Sequence, residues 1–428
     1  MMASEGKNPR GLSVEKDVTV HLTRRVLVML WTLLVAPWVL VIFLALHQTF
    51  CGLQQGSWRG GDQAKTNGVT HCRPGRWGNL EYWRLVLEPP DEYVDLRDAA
   101  PRKLHWFFQG KSRAQVEQYL GAIGLSAPHF AGLNGTWMET ATGTYLDPSP
   151  DFVWNLSADV RSRLYGLLGE SQENERQANP YRYRADKVEE WFADSRLKTD
   201  TVQLVRRFLY QRGTGLAFAD MDLVSPRLAD DAERVRLLSV LTRRASLQLR
   251  LRIAGGEDVR PLVQYWNAGG RSKDILPTLE SVARHQGGGT VTAFVLLPKF
   301  ARTLLNTYPL ASLGPSAVPQ NCHWTSLNFF RDQPDDNLAT VAGATKELIE
   351  NYYEIVAQLR LGDVLTFTEP SGGVIHSCVY IADDIVFTKN GVSMSTPWLL
   401  MSLADVSAYY TGSAEMQIRI YRPKERLG

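Results

Sequence analysis

At 428 residues, the chain can bury at least one complete hydrophobic core and has room for two compact units with appendages. Its hydrophobic fraction of 44% and formal net charge of +2 are those of an ordinary globular protein. A nucleic-acid-binding protein usually gathers a basic excess on one face, so we predict no nucleic-acid partner.

The N-terminal part contains one strongly apolar segment. After a polar tail at 1–25, the uncharged run 26–46 would form a helix about 31 Å long, which matches a hydrocarbon core of about 30 Å. Cleaved signal peptides have shorter apolar cores, so the run predicts an uncleaved transmembrane helix and a lipid bilayer as partner. Lys16, Arg24 and Arg25 precede it closely, which favours a cytoplasmic N-terminus and an extracytoplasmic bulk, periplasmic or at the cell surface.

The segment 47–80 is rich in Gly, Arg and Gln and is predicted to be a linker. In an oxidising compartment, Cys51 and Cys72 could form a disulfide worth about 3 kcal/mol, and the spacing leaves a disulfide and two separate thiols both open. No cysteine pair forms a CxxC motif and the histidines are scattered, so we predict no metal and no cofactor.

The remaining chain predicts an α+β fold in two parts. Residues 81–299 are predicted to be a mainly helical domain, although "LQLRLRI" near 250 alternates as a strand does. From 300, "NCHWTSLNFF" begins a helix, and "ATKELIENYYEIVAQL" predicts a second helix. Four strand-like runs follow, with Asp383-Asp384 suited to a hairpin turn. We therefore expect a helix-then-antiparallel-sheet domain over 300–428.

The chemistry most readily predicted is that of a thiol. Cys322 would lie in the first turn of a helix capped by Asn321, where the helix dipole favours a thiolate. His376 begins a strand and could act as its base, while the next strand returns Thr388 and Asn390 to the neighbourhood of that histidine. A buried structural histidine and a packed cysteine are the alternative interpretation.

These pieces resemble the NlpC-type cysteine peptidases of bacterial cell walls, which have a compact papain-like fold. The matching stretches are "NCHWTSLNFF", "LGDVLTF" and "HSCVYIADDIVFTKNG", within about residues 300–425. The resemblance implies Cys322 as nucleophile, His376 as base and Tyr308 near the oxyanion site. Asn321 stands where the family has aspartate, and Thr388 or Asn390 falls where its third polar residue, commonly histidine, lies.

The predicted function is therefore a membrane-anchored, extracytoplasmic thiol hydrolase that cleaves a peptide or amide bond through an acyl-enzyme on Cys322. The resemblance implies peptidoglycan or another peptide as substrate. The alternatives are acyl transfer to an acceptor other than water, and a catalytically inactive, membrane-tethered binding or scaffolding module of the same fold.

Overall fold

The computed structural model describes residues 65–66, 68–125, 136–267, 270, 272–310, 320–356, 358–410 and 416–424. Its strands form four antiparallel sheets. In chain order the strands are β1 (Lys65–Thr66), β2 (Val69–His71), β3 (Asn79–Leu87), β4 (Trp106–Gln109), β5 (Thr136–Thr140), β6 (Gly143–Asp147), β7 (Tyr181–Arg184), β8 (Tyr210–Arg212), β9 (Gly215–Phe218), β10 (Arg244–Ile253), β11 (Gly289–Thr292), β12 (Tyr352–Ile355), β13 (Val364–Thr368), β14 (Val374–Ala382), β15 (Ile385–Lys389), β16 (Trp398–Ser402) and β17 (Gln417–Pro423).

The helices are mostly short and lie between these strands. They are α1 (Arg113–Ala122), α2 (Pro150–Trp154), α3 (Ala158–Leu168), α4 (Glu175–Ala178), α5 (Val188–Phe192), α6 (Thr199–Arg207), α7 (Met221–Val224), α8 (Asp231–Leu241), α9 (Arg260–Trp266), α10 (Ser272–Ala283), α11 (Lys299–Leu304), α12 (Cys322–Leu327), α13 (Val341–Asn351) and α14 (Leu403–Tyr410). Short 3-10 helices lie at Asp91–Tyr93, Leu96–Asp98, Ala185–Lys187, Ser225–Arg227, Ala293–Leu296 and Asp336–Ala339.

A five-stranded sheet, in the order β1-β2-β3-β10-β11, is built around one long strand pair. β3 and β10 pair from Asn79 opposite Arg252 to Leu87 opposite Arg244. The apolar residues of β10 alternate with polar ones, which buries one face of the strand and leaves the other more accessible. The run "LQLRLRI" is therefore strand, as its period of two had indicated.

A six-stranded sheet, in the order β12-β17-β13-β14-β15-β16, contains the predicted C-terminal strands. β14 and β15 form a hairpin whose two-residue loop is Asp383-Asp384. Asp383 has a φ of 54°, in the left-handed region that aspartate tolerates better than most residues in such turns. The predicted hairpin turn is confirmed.

Two large cores, beside a small cluster formed by Leu327, Leu338, Ala344 and Val364, divide the described residues differently from the predicted domains. One core joins both large sheets, since it contains residues from β3, β10 and the segment 259–305 together with residues from α12 and β14–β16. The other core lies entirely within residues 99–241. The chain thus leaves the first core after β3 and returns to it at β10. The first core also contains residues from both predicted domains, 81–299 and 300–428.

The prediction of a mainly helical middle region is wrong. Residues 81–299 contain two three-stranded sheets, ordered β4-β6-β5 and β7-β9-β8, besides β3, β10 and β11. Apolar residues at helical spacing continue past the helix ends into the strands that follow. The stretch "DTVQLVRRFLYQRGTG" is helical only to Arg207 and then becomes β8.

The second C-terminal helix is also shorter than predicted. The stretch "ATKELIENYYEIVAQL" predicts one helix that carries Leu348, Tyr352, Ile355 and Leu359 on one face. Instead α13 ends at Asn351, and the next four residues form edge strand β12, paired with β17. Aromatic and β-branched residues fit a sheet edge well, and this tertiary pairing outweighs the helical spacing.

The transmembrane part of the predicted fold class is corrected. In the part of the chain that the structure describes, every helix is too short or too polar to cross a bilayer. The segment 26–46, on which the membrane span was predicted, lies outside the described residues, as does the tail 1–25. Of the predicted linker 47–80, the described portion already contains β1, β2 and the start of β3.

Candidate functional site

Cys322 is the first residue of α12, as its sequence indicated. Asn321 caps the helix, since its side-chain oxygen accepts a hydrogen bond of 2.9 Å from the backbone N–H of Trp324. The Asn321 amide also donates to the carbonyl of Ala339 at 2.7 Å. The cap therefore holds the start of this short helix in place from both sides.

The serine next to His376 fastens α12 to β14. Ser377 Oγ lies 2.9 Å from Nδ1 of His323 and 2.7 Å from Oγ of Ser326. Successive residues of a strand point to opposite faces of the sheet, so Ser377 faces α12 and His376 faces away from it. His323 of α12 is thus a hydrogen-bonding partner of the strand.

His376 lies on the other face, between aromatic rings. Its imidazole stacks on Tyr410 of α14, with ring centroids 4.0 Å apart and planes 16° from parallel. The ring of Phe367 on β13 lies 5.5 Å away. His376 is completely buried, and burial lowers its pKa well below the ordinary value, with His323 lowering it further. The imidazole is therefore neutral.

A chain of hydrogen bonds runs from His376 along one face of the sheet. Its Nε2 lies 3.0 Å from Oγ1 of Thr388, which donates to Oδ1 of Asn390 at 3.2 Å. The Asn390 amide in turn lies 3.2 Å from Sδ of Met401. Because the single proton of Thr388 goes to Asn390, the threonine oxygen must accept from Nε2–H, and the free lone pair of the imidazole is on Nδ1.

Nδ1 of His376 takes no part in this chain of hydrogen bonds. It is buried, and it has no hydrogen-bond partner among the described residues. In particular, no hydrogen bond joins Nδ1 of His376 to the sulfur of Cys322. The structure brings His376, Thr388 and Asn390 together, and it brings Cys322 to the same strand, but it does not bond the thiol to the imidazole.

The thiol lies beside the peptide backbone of β14. Cys322 is only 7% exposed, and burial raises its pKa despite the opposing effects of the backbone N–H groups of Ser377, His323 and Cys322 itself. The Lys389 ammonium also lowers the pKa of this thiol. Cys322 is therefore a neutral thiol at neutral pH, next to the peptide that follows His376.

Lys389, at the end of β15, is a charged neighbour that the sequence did not single out. It is completely buried, and its ammonium donates to the carbonyls of Gly391 at 2.9 Å and Ser393 at 3.1 Å. Burial lowers its pKa from 10.5 to about 7, and Cys322 acts in the opposite direction. The only sign of this buried charge in the sequence is a lysine within a strand-like run, directly between Thr388 and Asn390.

The other predicted site residues lie elsewhere. Tyr308 packs against Tyr93 with ring centroids 6.1 Å apart, and its buried hydroxyl has no hydrogen-bond partner among the described residues. Cys72 is a half-buried free thiol, and Cys51 lies outside the described residues. Within the described residues, no group of three or more His, Cys, Asp or Glu is arranged to hold a metal ion.

Comparison of the chain with protein-family models, with curated proteins and with solved structures gave no match.

Proposed function

We propose that this protein is a thiol hydrolase that cleaves a peptide or amide bond through an acyl-enzyme on Cys322, with His376 as the general base. Thr388 and Asn390 would hold the imidazole in the tautomer that leaves Nδ1 unprotonated. Cell-wall peptide is the substrate class that the resemblance to NlpC-type peptidases suggests.

The observation that carries this proposal is the unpartnered Nδ1 of His376. A buried polar atom without a partner costs about 1–3 kcal/mol, and a catalytic role or a bound water is among the features that account for one. The opposite ring nitrogen is fully engaged by Thr388, so the ring is oriented with only Nδ1 left to act. A general base needs one free ring nitrogen, and the proposal assigns the proton of the Cys322 thiol to it.

The proposed reaction uses both atoms in turn. The Cys322 proton passes to Nδ1 of His376 as the sulfur attacks the carbonyl carbon and forms a C–S bond. The C–N bond then breaks, and the imidazolium gives its proton to the leaving amine. In the second half, Nδ1 takes a proton from water and the resulting hydroxide attacks the thioester. The C–S bond then breaks to release the carboxylic acid, and the imidazolium returns its proton to the thiolate, which restores the thiol.

The reaction requires the Cys322 sulfur and Nδ1 of His376 to come closer together than they are in this structure. Cys322 and His376 are both buried, and the sulfur and Nδ1 are not hydrogen-bonded. Catalytic hydrogen bonds are often long or misaligned before substrate binds and tighten in the reactive complex. Because α12 and the His376 ring lie on opposite faces of β14, the proposal requires a local rearrangement of this strand or of the ring that brings the thiol within about 3–4 Å of Nδ1 when the site is occupied.

Thiol labelling and turnover together test this function. The full chain is treated with iodoacetamide across pH, and the modified cysteines are located by peptide mass spectrometry. Hydrolysis of a fluorogenic amide or thioester panel is measured in parallel. We expect Cys322→Ala to abolish turnover and Cys378→Ala, which removes another buried thiol of the same domain, to retain it. Undiminished turnover in Cys322→Ala would rule the proposal out.

A second candidate function is a catalytically inactive binding module of the same fold. The burial of Cys322, which raises its pKa, favours it. A packing cysteine would resist iodoacetamide as completely as the fully buried Cys378, and every substrate in the panel would remain intact. A Cys322 that reacts faster than Cys378, and more slowly after His376→Ala, would support the hydrolase instead.

A further inference from the structure

A cleft beside α14 is lined by an excess of arginines. It occupies about 400 Å³, counting the part open to solvent. Its walls carry the side chains of Arg84, Arg182, Arg184 and Arg244, whereas Asp405 is the carboxylate among the lining residues. Such a concentration of guanidinium groups is stable only where their charges are matched by carboxylates or by a bound anion.

Two of these arginines are matched within the protein. Arg84 donates to Glu190 and to Asp405, each at 2.9 Å. Arg184 donates to the other oxygen of Asp405 at 3.1 Å and also pairs with Asp186. The carboxylates around the cleft are therefore already engaged by Arg84 and Arg184.

The other two arginines have no carboxylate partner among the described residues. Arg182 donates to the backbone carbonyl of Tyr409 at 2.5 Å, and Arg244 donates to the carbonyl of Arg243 at 2.7 Å and to the Tyr409 hydroxyl at 3.3 Å. Arg244 is only 8% exposed, and its Nε is buried without a partner. Burial and the nearby Arg212 lower the pKa of Arg182, in keeping with a guanidinium that has only a backbone carbonyl as its hydrogen-bond partner among the described residues.

We propose that this cleft is a binding site for a small oxyanion, a carboxylate or phosphate group, held between Arg182 and Arg244. Guanidinium groups match the geometry of both oxyanions and form strong charge-assisted hydrogen bonds with them. A bound oxyanion would supply the negative charge that the walls lack and an acceptor for the unpartnered Nε of Arg244.

The cleft adjoins the thiol site through two residues. Met401 lines the cleft, and its sulfur is the contact at the end of the His376–Thr388–Asn390 chain. Tyr409 lies against both unmatched arginines, and the next residue, Tyr410, stacks on His376. On the basis of the proposed function, the oxyanion belongs to an anionic group of the acyl substrate, close to the bond that is cleaved.

Isothermal titration calorimetry of the full chain tests the site directly. Inorganic phosphate and succinate are titrated separately at constant ionic strength, which also distinguishes a phosphate from a carboxylate ligand. We expect saturable binding of at least one of them, weakened about tenfold or more by Arg182→Gln or Arg244→Gln, because each removes a charge-assisted hydrogen bond. Arg284→Gln, which removes an exposed arginine elsewhere, is the matched control and should leave binding unchanged.

The outcomes separate this inference from the proposed function. The proposed oxyanion site would be overturned if neither phosphate nor succinate bound saturably. It would also be overturned if Arg284→Gln weakened binding as much as Arg182→Gln or Arg244→Gln does. If Arg244→Gln fails to fold, Arg182→Gln alone tests the site. The Arg182 side chain is only half-buried, so this variant should still fold. Binding should persist in Cys322→Ala, so loss of hydrolysis leaves the oxyanion site standing, and hydrolysis without anion binding refutes the site alone.

Discussion

Replacing Lys389 by methionine should change how the stability of the protein depends on pH. The lysine side chain is completely buried at the end of β15, where its ammonium donates to two backbone carbonyls and lies 5.7 Å from the centre of the Trp398 ring. Methionine has a similar length and no charge, so it fills the same space without titrating.

The magnitude follows from the pKa. Burial lowers the pKa of Lys389 from 10.5, the ordinary value, to about 7. Between these two values the unfolded chain binds more protons than the folded protein, so the free energy of unfolding rises with pH. From pH 7 to pH 9 this contribution amounts to about 2 kcal/mol. The methionine variant should lack this increase.

Urea unfolding at pH 7 and pH 9 measures the effect. The free energy of unfolding is determined for the wild-type chain, for Lys389→Met and for Lys346→Met, which changes an exposed lysine of α13. Groups other than Lys389 and the Cys322 thiol coupled to it titrate alike in all three proteins, so the difference between wild type and Lys389→Met reports on this lysine and its effect on that thiol. Equal pH dependence in wild type and Lys389→Met would refute the reasoning.

The same variant reports on the thiol. Because the Lys389 ammonium lowers the pKa of Cys322, its removal should raise that pKa further and slow alkylation of Cys322 at neutral pH. Lys346→Met should leave the alkylation rate unchanged. Faster alkylation in Lys389→Met would mean that the lysine restricts access to the thiol more than it stabilises the thiolate.

Three further substitutions test the packing around the site and in the second core. Thr388→Val should destabilise the fold by about 1–3 kcal/mol in urea unfolding and lower the turnover predicted here, because Nε2 of His376 loses its acceptor, whereas Thr388→Ser should retain both. Asp220→Ala should cost about 3–5 kcal/mol by the same measurement, since it leaves Arg161 buried and unpaired; a loss below 1 kcal/mol would contradict this. Gly362→Ala should lower the thermal midpoint, because φ is +93° there and a Cβ would overlap an aromatic ring 2.2 Å away; an unchanged midpoint would count against that clash.

Some features of the candidate site follow from short stretches of sequence. A helix start at Cys322 follows from Asn321, because a capping side chain reaches backbone N–H groups only two or three residues away. The hairpin follows from the Asp383-Asp384 turn and the strand-like runs beside it. A hairpin also sets which residues return next to His376, so the nearness of Thr388 needs no information from distant parts of the chain.

Other features depend on contacts between residues far apart in the chain, and no local pattern predicts them. The pairing of β3 with β10 makes residues 99–241 an insertion with its own core, which helical spacing alone did not indicate. The arginine cleft joins Arg182 to Tyr409, a separation of 227 residues. Capping, turns and strand period were determined by the sequence because they act within a few residues. The tertiary structure alone decided that α12 faces Ser377 while His376 faces Tyr410, because each face of β14 is covered by a different distant helix.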